Sequence, residues 1–171
     1  MPGTLQGIEA CIPALRRYAL ALLRSRQDAD DLVHDTLLRA LDRLHTNRED
    51  DVRPWLFAIM HNLFVSQLRR ARTRPGGPTL ENVDEGALGI AGTQEDALRS
   101  RDVVRSLDLL PPEQRVVLLL ISIEDLSYAE TARVLGIPVG TVMSRLARGR
   151  ERLRQIMRGE APARPYLRRV K

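Results

Sequence analysis

The sequence predicts an all-α protein with two small helical domains joined by a flexible linker. Apolar residues recur at helical spacing in two parts of the chain. Between these parts, residues 75–96 contain no Lys or Arg and are rich in glycine and proline, which is typical of an extended linker. The second helical part also carries the pattern of a helix-turn-helix. We assign the first domain to residues 8–75, the linker to 76–96, the second domain to 97–159 and a flexible tail to 160–171.

The charge balance favours a polyanionic partner. The 171 residues contain 27 Lys and Arg against 22 Asp and Glu, a net charge of +5, and Lys171 is the only lysine. Arginine therefore carries nearly all of the positive charge. Its planar guanidinium suits phosphate and guanine better than an ammonium group does, and codon usage is an equal alternative explanation of the bias.

The cysteine and hydropathy patterns indicate the compartment. Cys11 is the only cysteine, so no internal disulfide can form, which fits a reducing cytosol. No apolar run approaches the roughly 20 residues that span a bilayer, and the start lacks a signal-peptide pattern. We expect a soluble cytoplasmic protein without membrane insertion.

The helix-turn-helix pattern runs from Leu126 to Arg154. Ser127 and Glu130 have the spacing of a capping box, which predicts a helix start. Gly136 stands where the turn needs a residue that tolerates positive φ. Pro138 suits the first turn of the second helix, where its missing N–H costs nothing. Small or aliphatic residues stand where the motif buries a side chain, at Ala132 and Val142.

The second helix of this motif has two distinct faces. One face is apolar, and the other carries hydroxyl and guanidinium groups that can meet bases and phosphates in a major groove. A solvated arginine face on a surface helix is the alternative interpretation. Agreement of the capping box, the turn glycine and the helical period favours DNA binding. The apolar residues are Val142, Leu146, Leu153 and Ile156, and the candidate DNA contacts are Thr141, Ser144, Arg145, Arg148 and Arg152.

The first domain is predicted to contain three helices. After a flexible lead at Met1–Glu9, the first helix opens at Pro13 and runs to Ser25. The second begins at Asp28, and the third runs from Pro54 to about Arg72, after a polar loop at Thr46–Arg53. The side chains expected to face inward from the second and third helices are Ala29, Leu32, Val33, Leu37, Ala40, Leu41, Leu44, Leu56, Ile59, Met60, Leu63, Phe64 and Leu68.

The outward face of the second helix groups acidic residues with one histidine. Asp31, His34 and Asp35 could be imagined as metal ligands, but no cluster elsewhere in the sequence completes such a site. A protein-contact face is the preferred interpretation. It consists of Asp31, His34, Asp35, Leu38, Arg39 and Asp42.

The end of the third helix is strongly basic. Four of the six residues from Arg69 to Arg74 are arginines. Cations there complement the helix dipole, which explains one or two of them, whereas four indicate a polyanion. His61, Asn62 and Ser66 can share a surface with these arginines, so the helix can meet bases as well as phosphates.

The second domain is predicted to open with a helix at Ala97–Leu109. Pro111 and Pro112 interrupt it. The next helix, Glu113–Glu124, is apolar on nearly every side and must therefore be buried.

No motif indicates catalysis or a cofactor. The sequence has no Ser/His/Asp grouping, no metal-ligand spacing and no glycine-rich phosphate loop. We therefore expect neither an enzyme nor a metal or cofactor site.

Four segments in this order resemble bacterial sigma factors of the extracytoplasmic-function (ECF) type, over roughly Pro13 to Met157. The segments are DADDLVHDTLLRAL, RPWLFAIMHNLFVSQLRR, LPPEQRVVLLL and LSYAETARVLGIPVGTVMSRLARGRERLR. The resemblance implies a promoter-specificity subunit that recruits core RNA polymerase, recognises −35 and −10 elements and nucleates promoter melting. Family members are commonly held inactive by an anti-sigma factor, so such a partner is expected too.

The resemblance also implies a role for each surface. The outward face of the second helix would bind the clamp helices of the beta-prime subunit, and the second domain would contact the beta flap. The linker, with Glu81, Asp84 and Glu85, would thread toward the RNA exit path. The implied −10 contacts, which would capture a flipped base, are Asn47, Trp55, His61, Asn62, Ser66, Arg69, Arg70 and Arg72, and the helix-turn-helix face would read the −35 element.

Three positions depart from the family pattern. Glutamine is frequent where His34 stands, aspartate is common at Ser66, and many members have lysine or arginine at Met143. The last departure implies either weaker phosphate anchoring or a shift toward an apolar contact such as a thymine methyl. Two other functions fit the same motifs: a stand-alone helix-turn-helix regulator, and a sigma-like decoy that binds an anti-sigma factor.

Overall fold

The computed structural model describes residues 2–44, 51–73, 103 and 105–160, and over these residues it contains no strand. The all-α prediction is therefore confirmed for the described part of the chain. Asn47, the linker 76–96 and the tail from 161 onward lie outside it. Residues 105–108 are helical, and the longer helices are α1 Pro2–Leu23, α2 Arg26–Asp42, α3 Val52–Thr73, α4 Pro112–Ser122, α5 Tyr128–Leu135 and α6 Val139–Met157.

Helices α1, α2 and α3 pack around one apolar core. Leu15, Leu32 and Met60 are fully buried in it. Tyr18 and Phe57 meet edge to face, with ring centroids 5.3 Å apart and an interplanar angle of 80°, a geometry that aromatic pairs prefer. This core fixes which faces of α2 and α3 remain available to partners.

Helix α1 begins at Pro2, so the predicted flexible lead at Met1–Glu9 and the start at Pro13 are wrong. Pro13 lies inside the helix, where a proline costs about 3 kcal/mol. Packing offsets that cost: Ile8 is buried, and a Cβ placed on Gly7 would lie 3.6 Å from Cγ2 of Val52. The helix therefore extends to where α3 supports it.

Helix α2 begins two residues before the predicted start at Asp28. Ser25 caps it, because its Oγ accepts the Asp28 N–H at 3.3 Å. Leu41 is 48% exposed, against the prediction. Thr36, which the prediction did not place inside, is buried in the stripe, and its hydroxyl is satisfied by donating to the Leu32 carbonyl at 2.7 Å.

Helix α3 also begins two residues earlier than the predicted Pro54. The Asp51 carboxylate accepts the Arg53 N–H at 3.0 Å and so satisfies a free donor of the first turn. Leu68 is 38% exposed, against the prediction, whereas Phe57 is fully buried. The buried face of α3 thus ends before the basic end of the helix.

The second domain is built around α4, and the predicted burial of this helix is confirmed. Val117, Leu119 and Leu120 are almost inaccessible to solvent. The helix ends at Ser122, two residues before the predicted Glu124. Helix α6 comes close to it at Gly149, where a Cβ would lie 3.0 Å from Cδ1 of Leu118.

The structure confirms the local predictions for the helix-turn-helix. Ser127 Oγ accepts the Glu130 N–H at 3.2 Å, and the Glu130 carboxylate accepts the Ser127 N–H at 2.7 Å. These hydrogen bonds lower the pKa of Glu130. Gly136 has φ of 63°, and Val142 is fully buried. Pro138 precedes α6 instead of lying in its first turn, because the helix begins one residue later.

Replacing the capping serine should destabilise the second domain. We expect Ser127→Ala to lower the free energy of unfolding by about 1 kcal/mol, because the Glu130 N–H loses its acceptor. Urea denaturation of the full chain, followed by circular dichroism, measures the change. Ser122→Ala is the matched control, since that serine is exposed at the end of α4. Equal unfolding free energies for the two variants would contradict the capping role.

Candidate promoter and polymerase interfaces

The predicted protein-contact face of α2 is a single exposed surface. Its members follow each other at helical spacing on the side opposite the buried stripe of Ala29, Leu32 and Val33. Leu41, which the sequence reading placed inside, adds a second exposed leucine to this side of the domain. An apolar centre with a charged rim is the usual composition of a protein interface. The exposed members are Asp31, His34, Asp35, Leu38, Arg39 and Asp42.

The predicted −10 contacts on α3 divide between a polar surface and the core. Asn62, Ser66, Arg69 and Arg70 are exposed and lie on one face at helical spacing. The Ser66 hydroxyl donates to the Asn62 carbonyl at 2.8 Å, which orients it along the helix. Trp55 is half-buried against the core of the first domain.

Two other predicted −10 contacts cannot be placed in this surface. Arg72 belongs to α3, but its side chain is outside the description. Asn47 is outside the described residues altogether. Their roles stay predictions.

His61 has a different environment from its neighbours on α3. Burial lowers the pKa of its imidazole. Its Nδ1 is buried and has no hydrogen-bond partner among the described residues. His61 is therefore neutral near pH 7, so it is suited to hydrogen bonding and not to pairing with a phosphate charge.

The predicted −35 contacts on α6 include an ordered row of polar side chains. Arg148 donates from Nε to the Ser144 carbonyl at 3.2 Å and from Nη2 to the Ser144 hydroxyl at 3.3 Å. That hydroxyl donates to the Thr141 carbonyl at 3.0 Å. Arg145 and Arg152 lie at the margin of this row and are half-buried.

The first two turns of α6 also present apolar side chains to solvent. Met143 is 52% exposed and Val139 is 41% exposed. The N-terminal residues of a recognition helix contact base edges in the major groove. The sequence analysis singled out Met143 but missed Val139. The position of Val139, three residues before the buried Val142 at the start of the helix, was the signal that could have identified it.

A cavity of about 230 Å³ lies between the two domains, and predicted DNA contacts of both domains line it. His61, Phe64 and Leu68 line it from α3, and Leu135 and Arg145 line it from the second domain. Residues assigned to the −10 and −35 elements therefore lie on the walls of one cleft.

The described residues contain no helix long and apolar enough to cross a membrane. Within the same ranges, no group of three or more His, Cys, Asp or Glu side chains is arranged to hold a metal ion.

Comparison with known proteins decides the family. Residues 100–153 match the model of sigma-70 region 4, and residues 8–61 match the sigma2 domain of PhyR. The ECF RNA polymerase sigma factor EcfG of Rhodopseudomonas palustris (strain TIE-1) is 35% identical over 154 residues, which cover 88% of this chain and 82% of the relative. The chain belongs to the ECF RNA polymerase sigma factors. The resemblance seen in the sequence is thus confirmed, while the domain boundaries stay predictions.

Two further comparisons agree with this family. The ECF sigma factor SigM of Mycobacterium tuberculosis (strain H37Rv) is 37% identical over 144 residues, which cover 84% of this chain and 71% of the relative. The solved structure of sigma factor RpoE in complex with the anti-sigma factor NepR, from Bartonella quintana, is 30% identical and covers 94% of this chain and 100% of that one, with a TM-score of 0.78.

Proposed function

We propose that this ECF sigma factor binds core RNA polymerase and directs it to promoters that carry matching −35 and −10 elements. It would act by binding and by assisting DNA melting, without catalysis of its own and without a cofactor. The observation that carries the proposal is the pairing of two polar helix faces on separate domains with a third exposed face on α2. One chain can then hold polymerase and two DNA elements at once.

The −35 element would be read by α6. In a helix-turn-helix, the second helix enters the major groove and its N-terminal residues contact base edges. The row of Thr141, Ser144 and Arg148 supplies hydroxyl and guanidinium donors for this contact. Val139 and Met143 supply apolar groups that suit thymine methyls.

The −10 element would be read by the exposed face of α3. Arg69 and Arg70 would neutralise phosphates, and Asn62 and Ser66 would meet exposed bases. Extruding a base from the duplex costs a few kcal/mol, which new contacts to that base must offset. Neutral His61 and the half-buried Trp55 extend this face toward the loop that the sequence predicts before α3.

The polymerase would be bound by the outward face of α2. The core of the first domain holds the opposite side of this helix, so the face is presented on a rigid element. Asp31, Asp35 and Asp42 give it an acidic character that suits a basic partner surface, and Leu38 supplies an apolar contact. We assign this face to the beta-prime clamp helices, and we assign contact with the beta flap to the second domain.

An anti-sigma factor would be a further partner. The similarity to Bartonella quintana RpoE, which was solved with NepR bound, extends over nearly the whole of both chains. This similarity supports a NepR-type protein as the inhibitor.

Run-off transcription with purified core polymerase tests the proposal directly. A library of promoter fragments would be transcribed with and without the protein, and the transcripts would be sequenced. We expect transcripts whose templates share a −35 and a −10 element. Core binding without transcripts would instead favour the sigma-like decoy, and DNA binding without core binding would favour the stand-alone regulator.

Arg148→Ala should weaken recognition of the −35 element. We expect a loss of about 1–3 kcal/mol in promoter binding if the guanidinium contacts a base. The measurement is the affinity of the polymerase–sigma complex for a promoter fragment. Arg150→Ala is the control, because Arg150 is exposed on a different side of α6. Unchanged affinity on Arg148→Ala would remove this residue from the site.

Asp35→Arg should impair core binding while leaving DNA contacts of α6 unaltered. A positive charge placed in this acidic docking face removes attraction to the basic partner surface and adds repulsion from it. We therefore expect at least a roughly tenfold weaker complex. Titration of labelled sigma factor with core polymerase measures it. Glu9→Arg makes the same charge change at an exposed site on α1 and serves as the control. Equal core affinity for both variants would refute the assignment to α2.

A further inference from the structure

Glu124 is a buried carboxylate that the proposed function does not use. It follows α4 in the second domain, and its side chain has no exposed surface. Arg17 of α1 donates to it from Nε at 2.9 Å and from Nη2 at 2.7 Å. Arg53 of α3 donates from Nη2 to the Glu124 carbonyl at 2.6 Å and to its carboxylate at 3.2 Å. A buried charge of the second domain is therefore neutralised entirely by arginines of the first.

A second ion cluster joins the same two domains. Asp108 accepts two hydrogen bonds from Arg24, which directly follows α1, at 3.0 and 2.6 Å. Arg115 of α4 donates to the same carboxylate at 3.0 Å and to the Leu22 carbonyl of α1 at 3.4 Å. Paired arginine–carboxylate contacts of this kind are directional as well as strong.

The backbone is unusual at both clusters. Arg24 and Asp125 are the two residues other than glycine that adopt positive φ in the described ranges, at 60° and 51°. This conformation is disfavoured for residues that carry a side chain. Arg24 is a member of one cluster, and Asp125 directly follows Glu124 of the other. Such conformations persist where the surrounding contacts hold them.

Buried side chains lie between the clusters, whereas the arginines that bind Glu124 reach the surface: Arg17 is 46% exposed and Arg53 is 39% exposed. Tyr18 is buried there, and burial together with the nearby Glu124 carboxylate raises the pKa of its hydroxyl. Helix α1 packs against α4, and α3 packs against α5. The ion pairs are thus partly screened by solvent on the arginine side, while the Glu124 carboxylate itself is fully buried.

The closed arrangement is incompatible with binding both promoter elements. Elements centred at −35 and −10 lie roughly 25 base pairs apart, or about 85 Å at 3.4 Å per base pair. In the structure His61 of α3 and Arg145 of α6 line one cavity of about 230 Å³. The domains must therefore separate before α3 and α6 can reach their proposed sites.

We propose that the ion clusters form an interdomain latch, made of Arg17, Arg24, Arg53, Asp108, Arg115 and Glu124, which holds the free sigma factor closed and unable to engage a promoter. This inference rests on the proposed function, because it assigns α3 and α6 to DNA. Charged groups suit a reversible contact, since water can solvate them once the domains part.

Small-angle X-ray scattering of the full chain tests whether the latch holds the domains together. Arg17→Ala leaves Glu124 buried with half of its charge compensation missing, so we expect the open-to-closed ratio to rise more than about tenfold and the radius of gyration to increase. Arg16→Ala is the matched control, because Arg16 pairs with Asp30 inside the first domain. Glu124→Gln is a second opening variant that keeps the side-chain shape. Circular dichroism confirms that each variant is folded.

Binding of the free protein to a fragment with only the −35 element tests whether closure blocks DNA. We expect Arg17→Ala and Glu124→Gln to bind it more tightly than the wild type, and Arg16→Ala to bind as the wild type does. If both opening variants stay as compact as the wild type, the latch does not exist. If they expand without a gain in DNA affinity, the latch does not control promoter binding. Transcription by the wild type with core polymerase judges the proposed function separately, because core is supplied in that assay.

Discussion

Burial of α4 is the constraint on which the arrangement of the molecule depends. A helix that is apolar on nearly every side must be surrounded, and α5 and α6 alone do not enclose it. Helix α1 of the first domain covers a further part. Part of the contact between the domains thus follows from the composition of this eleven-residue helix, and the packing of α3 against α5 supplies another part. It brings Glu124, at the end of that helix, within reach of two arginines of the other domain.

Local signals in the sequence predicted local structure well. The capping box and the turn glycine of the helix-turn-helix are determined by residues within a few positions of each other, and both predictions are confirmed. The start of α1 was wrong because a proline is a strong local signal against a helix interior, while the support for that turn comes from α3. The predicted burial of Leu41 and Leu68 was wrong for a similar reason: the period of a helix gives the direction of its buried face but not its width.

The ion clusters between the domains had no signal in the sequence. Glu124 and Arg17 are 107 positions apart. From the sequence alone, Glu124 was interpreted only as the polar end of an apolar helix. The candidate interfaces are intermediate between these cases. Their residues lie on common helix faces, as the period predicts, but neutral His61 and half-buried Arg145 depend on how the domains pack.

The row of hydrogen bonds from Arg148 to Thr141 bears on how a recognition helix discriminates. A long side chain that is free in solution loses rotamer entropy when it binds, and it can also turn to suit a different base. Here part of that ordering exists in the free protein, since the Ser144 carbonyl and hydroxyl both accept hydrogen bonds from the Arg148 guanidinium. A guanidinium with a fixed direction meets a mismatched base at the wrong angle instead of adapting to it. Under the proposed role of α6, specificity would derive from the stiffness of the free helix as well as from the bonds made in the groove.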